Sequence, residues 1–403
     1  MFSRVISAAV YGIDAYIVNV ETDVGFGLPT FDMSGALGSK VREAKDRVRV
    51  AIKNSGIELT PQKIVINISP ANIRKEGTIY DLPIAIGILA ANGCFDLKIL
   101  ENVLIIGEVS LDGSINPVKG VLPMVCAAKE AGIDNCIIPK ANIAEGRIIN
   151  NINIYGVETL SQTIEILKNI AVIDGSRKNI KQADVKSGEC NKSDGNINND
   201  TYNVLERSRV KFTYGSEVKN NNHSCSYNID YSDISGQEAA KRATMIAVSG
   251  MHNIMYIGPP GSGKTMLAQR IPTIMPDMDY EEQLRLTKIY SVAGLLDSEG
   301  GIMVKRPFRN PHHTITQAAL LGGGAVPRPG EITLSEGGVL FLDEMTEFNQ
   351  VIMEALRQPL EDKVITLVRV NAAYTYPAHF MLAAAINPVS YTHLRAHETR
   401  SNL

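Results

Sequence analysis

Gly258-Pro259-Pro260-Gly261-Ser262-Gly263-Lys264-Thr265 is the stretch on which the reading of this sequence turns. It meets the pattern G-x-x-x-x-G-K-[ST] at every fixed position. Asn253-Ile254-Met255-Tyr256-Ile257 before it reads as a short buried strand, and Met266-Leu267-Ala268-Gln269-Arg270 after it as the first turns of a helix. Strand, glycine-rich loop and helix in that order form a phosphate cradle. Glycines let the loop turn tightly, so that consecutive backbone N–H groups face an anion, and the helix adds its positive end. Gly258, Pro259, Pro260, Gly261, Ser262, Gly263, Lys264 and Thr265 are therefore candidate binding residues for a nucleotide. Lys264 is expected to reach the β- and γ-phosphates, and the Thr265 hydroxyl to hold Mg²⁺.

A second apolar stretch follows at the spacing the first requires. Gly337-Gly338-Val339-Leu340-Phe341-Leu342-Asp343-Glu344 reads as a buried strand that delivers two carboxylates at its C-terminal end, about eighty residues after the loop. Parallel α/β sheets place their ligand sites at that edge. The two acids divide the chemistry: Asp343 for the Mg²⁺ shell, and Glu344 to orient and polarise an attacking water. Phe380 to Asn387 is a further apolar strand, and it ends in an amide before Pro388. Asn387 is a candidate for positioning the γ-phosphate and the water; the plain alternative is a turn-starting Asn. His312 and His313 are adjacent, but no third metal ligand has suitable spacing, so they are expected to brace a loop or face a partner.

Composition bounds the rest. At 403 residues the chain is long enough for two or three domains, and 44% hydrophobic residues support real cores. A net charge of −3 carries no global signature of polyanion binding, so any nucleic-acid contact is a local patch. Five scattered cysteines without a C-x-x-C pair argue against a disulfide framework and a zinc site. The N-terminus opens as a strand and not as a signal peptide, and no apolar run approaches the roughly 18 residues of a spanning helix. The expectation is a soluble, cytoplasmic protein with no membrane partner.

Residues 1–170 read as a complete α+β domain. Ala15 to Val24 alternates as a half-buried strand. Gly38 to Gly56 is helical, with Val41, Ala44, Val48, Ala51 and Ile52 on its inner face and Lys40, Arg42, Lys45, Arg47, Arg49 and Lys53 on its outer face. That outer face is either a solvated surface or a nucleic-acid contact; Glu43 and Asp46 dilute its charge. Tyr80 to Ala91 opens a very apolar helix, and the stretches Lys63–Ile68, Val103–Val109 and Asn135–Pro139 are strands around it and the helix Val121–Ala131. From 171 to 229 Asn, Lys, Ser and Asp dominate, as in a flexible linker. Residues 230–388 hold the nucleotide motifs, and 389–403 form an anomalous tail without apolar period, expected to be non-native.

Lys75-Glu76-Gly77-Thr78 through Asp81-Leu82-Pro83, then Gly107-Glu108-Val109, then Ala131-Gly132-Ile133 through Ile137-Ile138-Pro139-Lys140 resemble the proteolytic domain of Lon and the related domain of the recombination protein RadA. Lon uses a serine activated by a lysine. By motif alignment those positions fall on Ile84 and near Leu122, and neither side chain can attack a carbonyl or accept a proton. The expectation is a catalytically silent Lon-like domain. Asp233-Ile234-Ser235-Gly236-Gln237 resembles the entry segment of AAA+ ATPases, which implies that Ile234 packs beside adenine. The stretch from Arg306 to Thr316, followed by Gly322-Gly323-Gly324 and Pro327 to Ser335, resembles the Mg-chelatase group, which implies a pore-facing hairpin near Gly322 to Gly337. Leu356 to Asp362 implies a helix that reaches a neighbouring subunit.

A silent Lon-like domain, a linker and a Mg-chelatase-type P-loop AAA+ domain with a doubly wound parallel sheet together resemble the ComM/YifB family. The resemblance implies a homo-oligomeric ring, hexameric in the family, with ATP and Mg²⁺ as ligands and DNA as the partner, acting in branch migration during natural transformation. The different-class alternatives are a chelatase subunit driving metal insertion or another remodelling reaction, and a non-enzymatic assembly module. The tail departs from the family pattern. The lid, the sensor-2 arginine and the arginine finger are expected to lie outside the 403 residues, and slow turnover by this chain follows from their absence.

Overall fold

A computed structural model describes residues 1–170, 229–296, 301–324, 327–369 and 372–388. The linker expected at 171–229, apart from residue 229, and the tail at 389–403 lie outside the described residues. The described chain falls into two compact units, residues 1–170 in the first and all strands from Ile254 onward in the second.

The first unit is a seven-stranded mixed sheet. Its elements are β1 (Phe2–Tyr11), β2 (Asp14–Gly25), β3 (Phe31–Ser34), α1 (Ser39–Arg42), α2 (Ala44–Asn54), β4 (Lys63–Ser69), α3 (Asp81–Ala91), β5 (Val103–Ile105), β6 (Glu108–Val109), β7 (Ile115–Asn116), α4 (Val121–Glu130), β8 (Asn135–Pro139), α5 (Ile143–Gly146), β9 (Asn153–Val157) and α6 (160–170). The sheet order is β3-β4-β2-β1-β5-β8-β9. β1 pairs with β2 antiparallel from Phe2↔Asp23 to Tyr11↔Asp14, and with β5 parallel. All eleven residues of α3 are buried: Asp81 opens it, and the run that follows is apolar throughout, as a helix covered on every side requires. On α2 only Ala44, Val48, Ala51 and Ile52 are buried, at helical spacing, so its inner face alone reaches the core.

Three local expectations change. The single helix expected from Gly38 to Gly56 is interrupted at Glu43. The strand expected from Val103 to Val109 divides, because β6 leaves the main sheet to pair with β7. Gly107 sits at the divide, where a Cβ would lie 3.1 Å from Leu82 and 3.2 Å from Ile115, so a larger residue would push those side chains aside. β3 and β9, which the apolar pattern did not single out, complete the sheet at its two edges.

The second unit is built on four parallel strands. In chain order it comprises α7 (Glu238–Ser249), β10 (Ile254–Ile257), α8 (Lys264–Gln269), α9 (Tyr280–Ala293), β11 (Phe308–Arg309), α10 (Gln317–Leu321), β12 (Gly322–Gly323), β13 (Arg328–Pro329), α11 (Glu331–Leu334), β14 (Val339–Leu342), α12 (Gln350–Ala355), α13 (Arg357–Asp362), β15 (Val364–Arg369), β16 (Ala372–Pro377) and β17 (Met381–Ile386). The sheet order is β10-β17-β14-β11, and every pair is parallel. Val339, Leu340, Phe341 and Leu342 are all fully buried, as a central strand covered on both faces must be. Tyr256, Leu267, Phe341, Met381 and Ala383 share one core.

The inserted hairpin is shorter than expected. β12 and β13 pair at Gly322↔Pro329 and Gly323↔Arg328, and Glu331 already starts a helix. A second, longer hairpin, β15–β16, runs from Val364↔Pro377 to Arg369↔Ala372. It has the β-branched and aromatic content that marks strands, and that signal was present in the sequence. Buried Tyr376 donates its hydroxyl to Pro327 O at 3.1 Å, tying one hairpin to the other. Arg309, at the end of β11, forms a two-pronged ion pair with Glu331 at 2.6 and 2.7 Å, which anchors the base of the short hairpin to the sheet.

Candidate active site

The carboxyl ends of the parallel strands bring the predicted residues together. The loop from Gly258 to Thr265 leaves β10 and enters α8, and Gly258 N donates to Ile386 O at 3.2 Å, fixing the loop to the end of β17. Gly261 and Gly263 have φ of +77° and +85°, and a Cβ on either would meet nothing within 4 Å. Backbone conformation, not crowding, is what requires glycine there. The first amides of α8 have no acceptor within the helix, which leaves them for a ligand.

Lys264 Nζ donates to Gly258 O at 2.8 Å, Pro259 O at 2.9 Å and Asn387 Oδ1 at 2.8 Å. Asn387, one residue beyond β17, donates its Nδ2 to Glu344 Oε1 at 3.4 Å. Thr265 donates its hydroxyl to Asp343 Oδ2 at 2.9 Å. Glu344 N donates to Asp343 Oδ1 at 3.0 Å. Glu344 itself has φ +51° and ψ +50°, the left-handed region that non-glycine residues rarely enter. The turn ends the strand at once and sets the Glu344 carboxylate apart from that of Asp343. Its side chain is exposed, whereas Lys264, Thr265, Asp343 and Asn387 are half-buried.

Thr265 and Asp343 present a hydroxyl and a carboxylate side by side. That is a hard-oxygen set suited to Mg²⁺ and poorly suited to a softer metal. The primary amine of Lys264 beside them supplies the charge a phosphate chain needs. The residues present therefore fit a nucleoside triphosphate with Mg²⁺.

Some expected contacts take another form. Ile234 is 4% exposed and packs with Tyr231, Val248 and Leu267, which leaves little side chain for a base to lie against. Gln237, the last residue of the entry segment and given no role there, reaches the loop instead: its Nε2 donates to Ser262 O at 3.4 Å, and its own φ is +57°. The His312 and His313 rings lie tilted by 35° with centroids 4.1 Å apart, and His313 meets Phe348 edge-on at 6.5 Å. Among the described residues no group of three metal-ligating side chains exists. In the first unit, Ile84 and Leu122 are both fully buried aliphatic side chains.

Comparison with known proteins agrees with this arrangement. A family model described as magnesium chelatase, subunit ChlI, matches residues 230–402, a span that includes most of the tail, and a second, subunit ChlI of Mg-chelatase, matches residues 20–142. Competence protein ComM of Haemophilus influenzae is 36% identical over 400 residues, covering 99% of this chain and 71% of that protein. YifB of Escherichia coli is 37% identical over 398 residues, covering 99% and 70%. The chain belongs to the ComM/YifB family. Its Lon-like portion is 31% identical to the archaeal Lon protease of Thermococcus kodakarensis over 151 residues, 36% of this chain. As a ComM/YifB member with a magnesium-chelatase-like region, the chain carries an AAA+ P-loop ATPase fold. Among the described residues no helix is long and apolar enough to cross a membrane.

Proposed function

We propose that this chain is the ATP-hydrolysing core of a ring-forming, Mg²⁺-dependent motor that acts on DNA in the cytoplasm. The observation that supports it is the connected line Lys264–Asn387–Glu344 with Thr265–Asp343 beside it, all at one sheet edge. The loop amides and Lys264 bind the β- and γ-phosphates. Thr265 and Asp343 hold Mg²⁺, which when bound neutralises charge developing on the phosphate oxygens. Glu344 orients the attacking water and Asn387 positions it against the γ-phosphate. Subunits of such a ring meet head to tail, an arrangement that closes by rotation and is hexameric in this reading. The Lon-like unit is an assembly or DNA-contact module without peptidase activity. Its two expected catalytic positions hold Ile84 and Leu122.

DNA as the partner follows from the family resemblance and from the relative named as a competence protein. The magnesium-chelatase description of the matching family model favours the second reading, a subunit that drives metal insertion or another remodelling step. ATP turnover by the chain and by Glu344→Gln, with and without single-stranded DNA, separates them. Stimulation by DNA that vanishes in Glu344→Gln supports the motor. Turnover indifferent to DNA favours the chelatase-type reading. Turnover unchanged in Glu344→Gln would remove the role given to that carboxylate.

A further inference from the structure

The six cations expected on the outer face of the first long helix do not share one surface. Arg47 turns inward: its Nε and Nη2 donate to the two oxygens of Asp81 at 2.8 and 2.9 Å, and Nη2 also donates to Lys40 O at 2.9 Å. Asp81 is buried, so this guanidinium serves the core. Glu43 follows it, with Oε2 3.8 Å from Arg47 Nη1. Glu43 itself stays exposed, one turn before Arg47 on the chain. Lys45, Arg49 and Lys53 stay exposed, at i, i+4 and i+8 of α2. Among the described residues they pair with no carboxylate, although exposed Asp46 lies next to Lys45 in the chain. Exposed Arg42 precedes them on α1.

The geometry points to Lys45, Arg49 and Lys53 as a contact for the phosphate backbone of nucleic acid. This inference rests on the DNA reading above and names the surface of the first unit that would serve it. Successive cations lie about 6 Å apart along the helix axis, so one extended polyanionic strand laid along α2 meets all three. The helix is held rigidly behind them by Ala44, Val48, Ala51 and Ile52, all fully buried, and by the Arg47–Asp81 pair. A membrane surface fits less well. An interfacial helix needs its apolar face free to enter lipid, and here that face is core. Asn54, next to Lys53 in the chain, donates its amide to Leu111 O at 2.7 Å and not outward. Contact by lysine and arginine alone positions nucleic acid without reading sequence.

The test is binding of labelled single- and double-stranded oligonucleotides to the whole chain as a function of salt. Lys45→Gln/Arg49→Gln/Lys53→Gln is compared with Lys98→Gln/Lys129→Gln/Lys168→Gln, which removes the same charge from other exposed positions. Thermal melts confirm that both variants fold. The stripe variant is expected to bind about tenfold more weakly at low salt, with a log–log salt slope shallower by about 2 to 3, since each lost phosphate contact removes about 0.7 to 0.9. The control keeps the wild-type slope. If the wild-type chain binds DNA and the two variants behave alike, the stripe is overturned and the DNA reading stands. If the wild-type chain binds no nucleic acid even at low salt, both fall. Loss of binding to anionic phosphatidylglycerol vesicles with unaltered DNA binding would overturn the stripe as a nucleic-acid contact and assign it to membrane.

Discussion

Asn387 Oδ1 accepts a hydrogen bond from Lys264 Nζ at 2.8 Å, across 123 residues of sequence. An ammonium has three donors, and Gly258 O, Pro259 O and Asn387 Oδ1 occupy all three. A phosphate that engages Lys264 must displace at least one of these neutral acceptors, and a charged one wins that exchange. Releasing Asn387 alters the group that also holds Glu344. Phosphate arrival is thus connected to the carboxylate by a single amide.

Asn387→Ala is expected to lower kcat by about 100-fold, the cost of one positioned polar group at a reacting centre. Nucleotide affinity, measured with a fluorescent ATP analogue, stays within about threefold, because the variant removes a competitor for Lys264 and no phosphate ligand. A large loss of affinity with kcat preserved would place Asn387 in binding and not in positioning.

Thr265→Ala removes the hydroxyl that lies 2.9 Å from Asp343 Oδ2. The Mg²⁺ concentration for half-maximal turnover should rise on the order of tenfold. An unchanged requirement would put the metal elsewhere.

Arg47→Ala leaves the Asp81 carboxylate buried without its partner. Burial already raises the Asp81 pKa and Arg47 only partly offsets this, while Asp81 in turn raises that of Arg47. The pair attracts, yet desolvation of the acid outweighs it. Urea denaturation should show a loss of about 3 kcal/mol for the truncation. Arg49→Ala, at an exposed position two residues on, should stay within about 0.5 kcal/mol. Equal effects would show that Arg47 is no more than a surface charge.

Glu336 is 4% exposed, accepts from His379 N at 2.7 Å and lies 3.6 Å from Arg285. Burial raises its pKa, with the His379 amide and Arg285 acting in the opposite sense. The folded state therefore holds this proton more tightly than the unfolded chain. Its contribution to stability is full below the unfolded value of about 4.3 and falls as pH rises through the raised folded value. Glu336→Gln keeps an acceptor for His379 and does not ionise. Urea melts from pH 4 to 7 should show the variant gaining stability relative to wild type as pH rises across that window. A relative loss would mean that Arg285 outweighs burial.

Local pattern carried much of this protein. The loop from Gly258 to Thr265 needs glycine for its backbone and lysine for its charge, and the strand Val339–Leu342 needs unbroken apolar residues because both its faces are covered. Such requirements act within a few residues, so they are written plainly in the chain. The same holds for α3, buried on every side. Contacts between segments distant in the chain were decided elsewhere. Nothing in the spacing says that Asn387 meets Lys264, that Tyr376 ties the two hairpins, or that Arg47 meets Asp81. Helical spacing already sets Arg47 beside the buried Ala44 and Ala51 and turns Arg49 away from them; the arrival of α3, with Asp81 at its start, supplies the partner. The carboxylate that does so is buried, and a buried charge must find its partner from whatever the fold brings near.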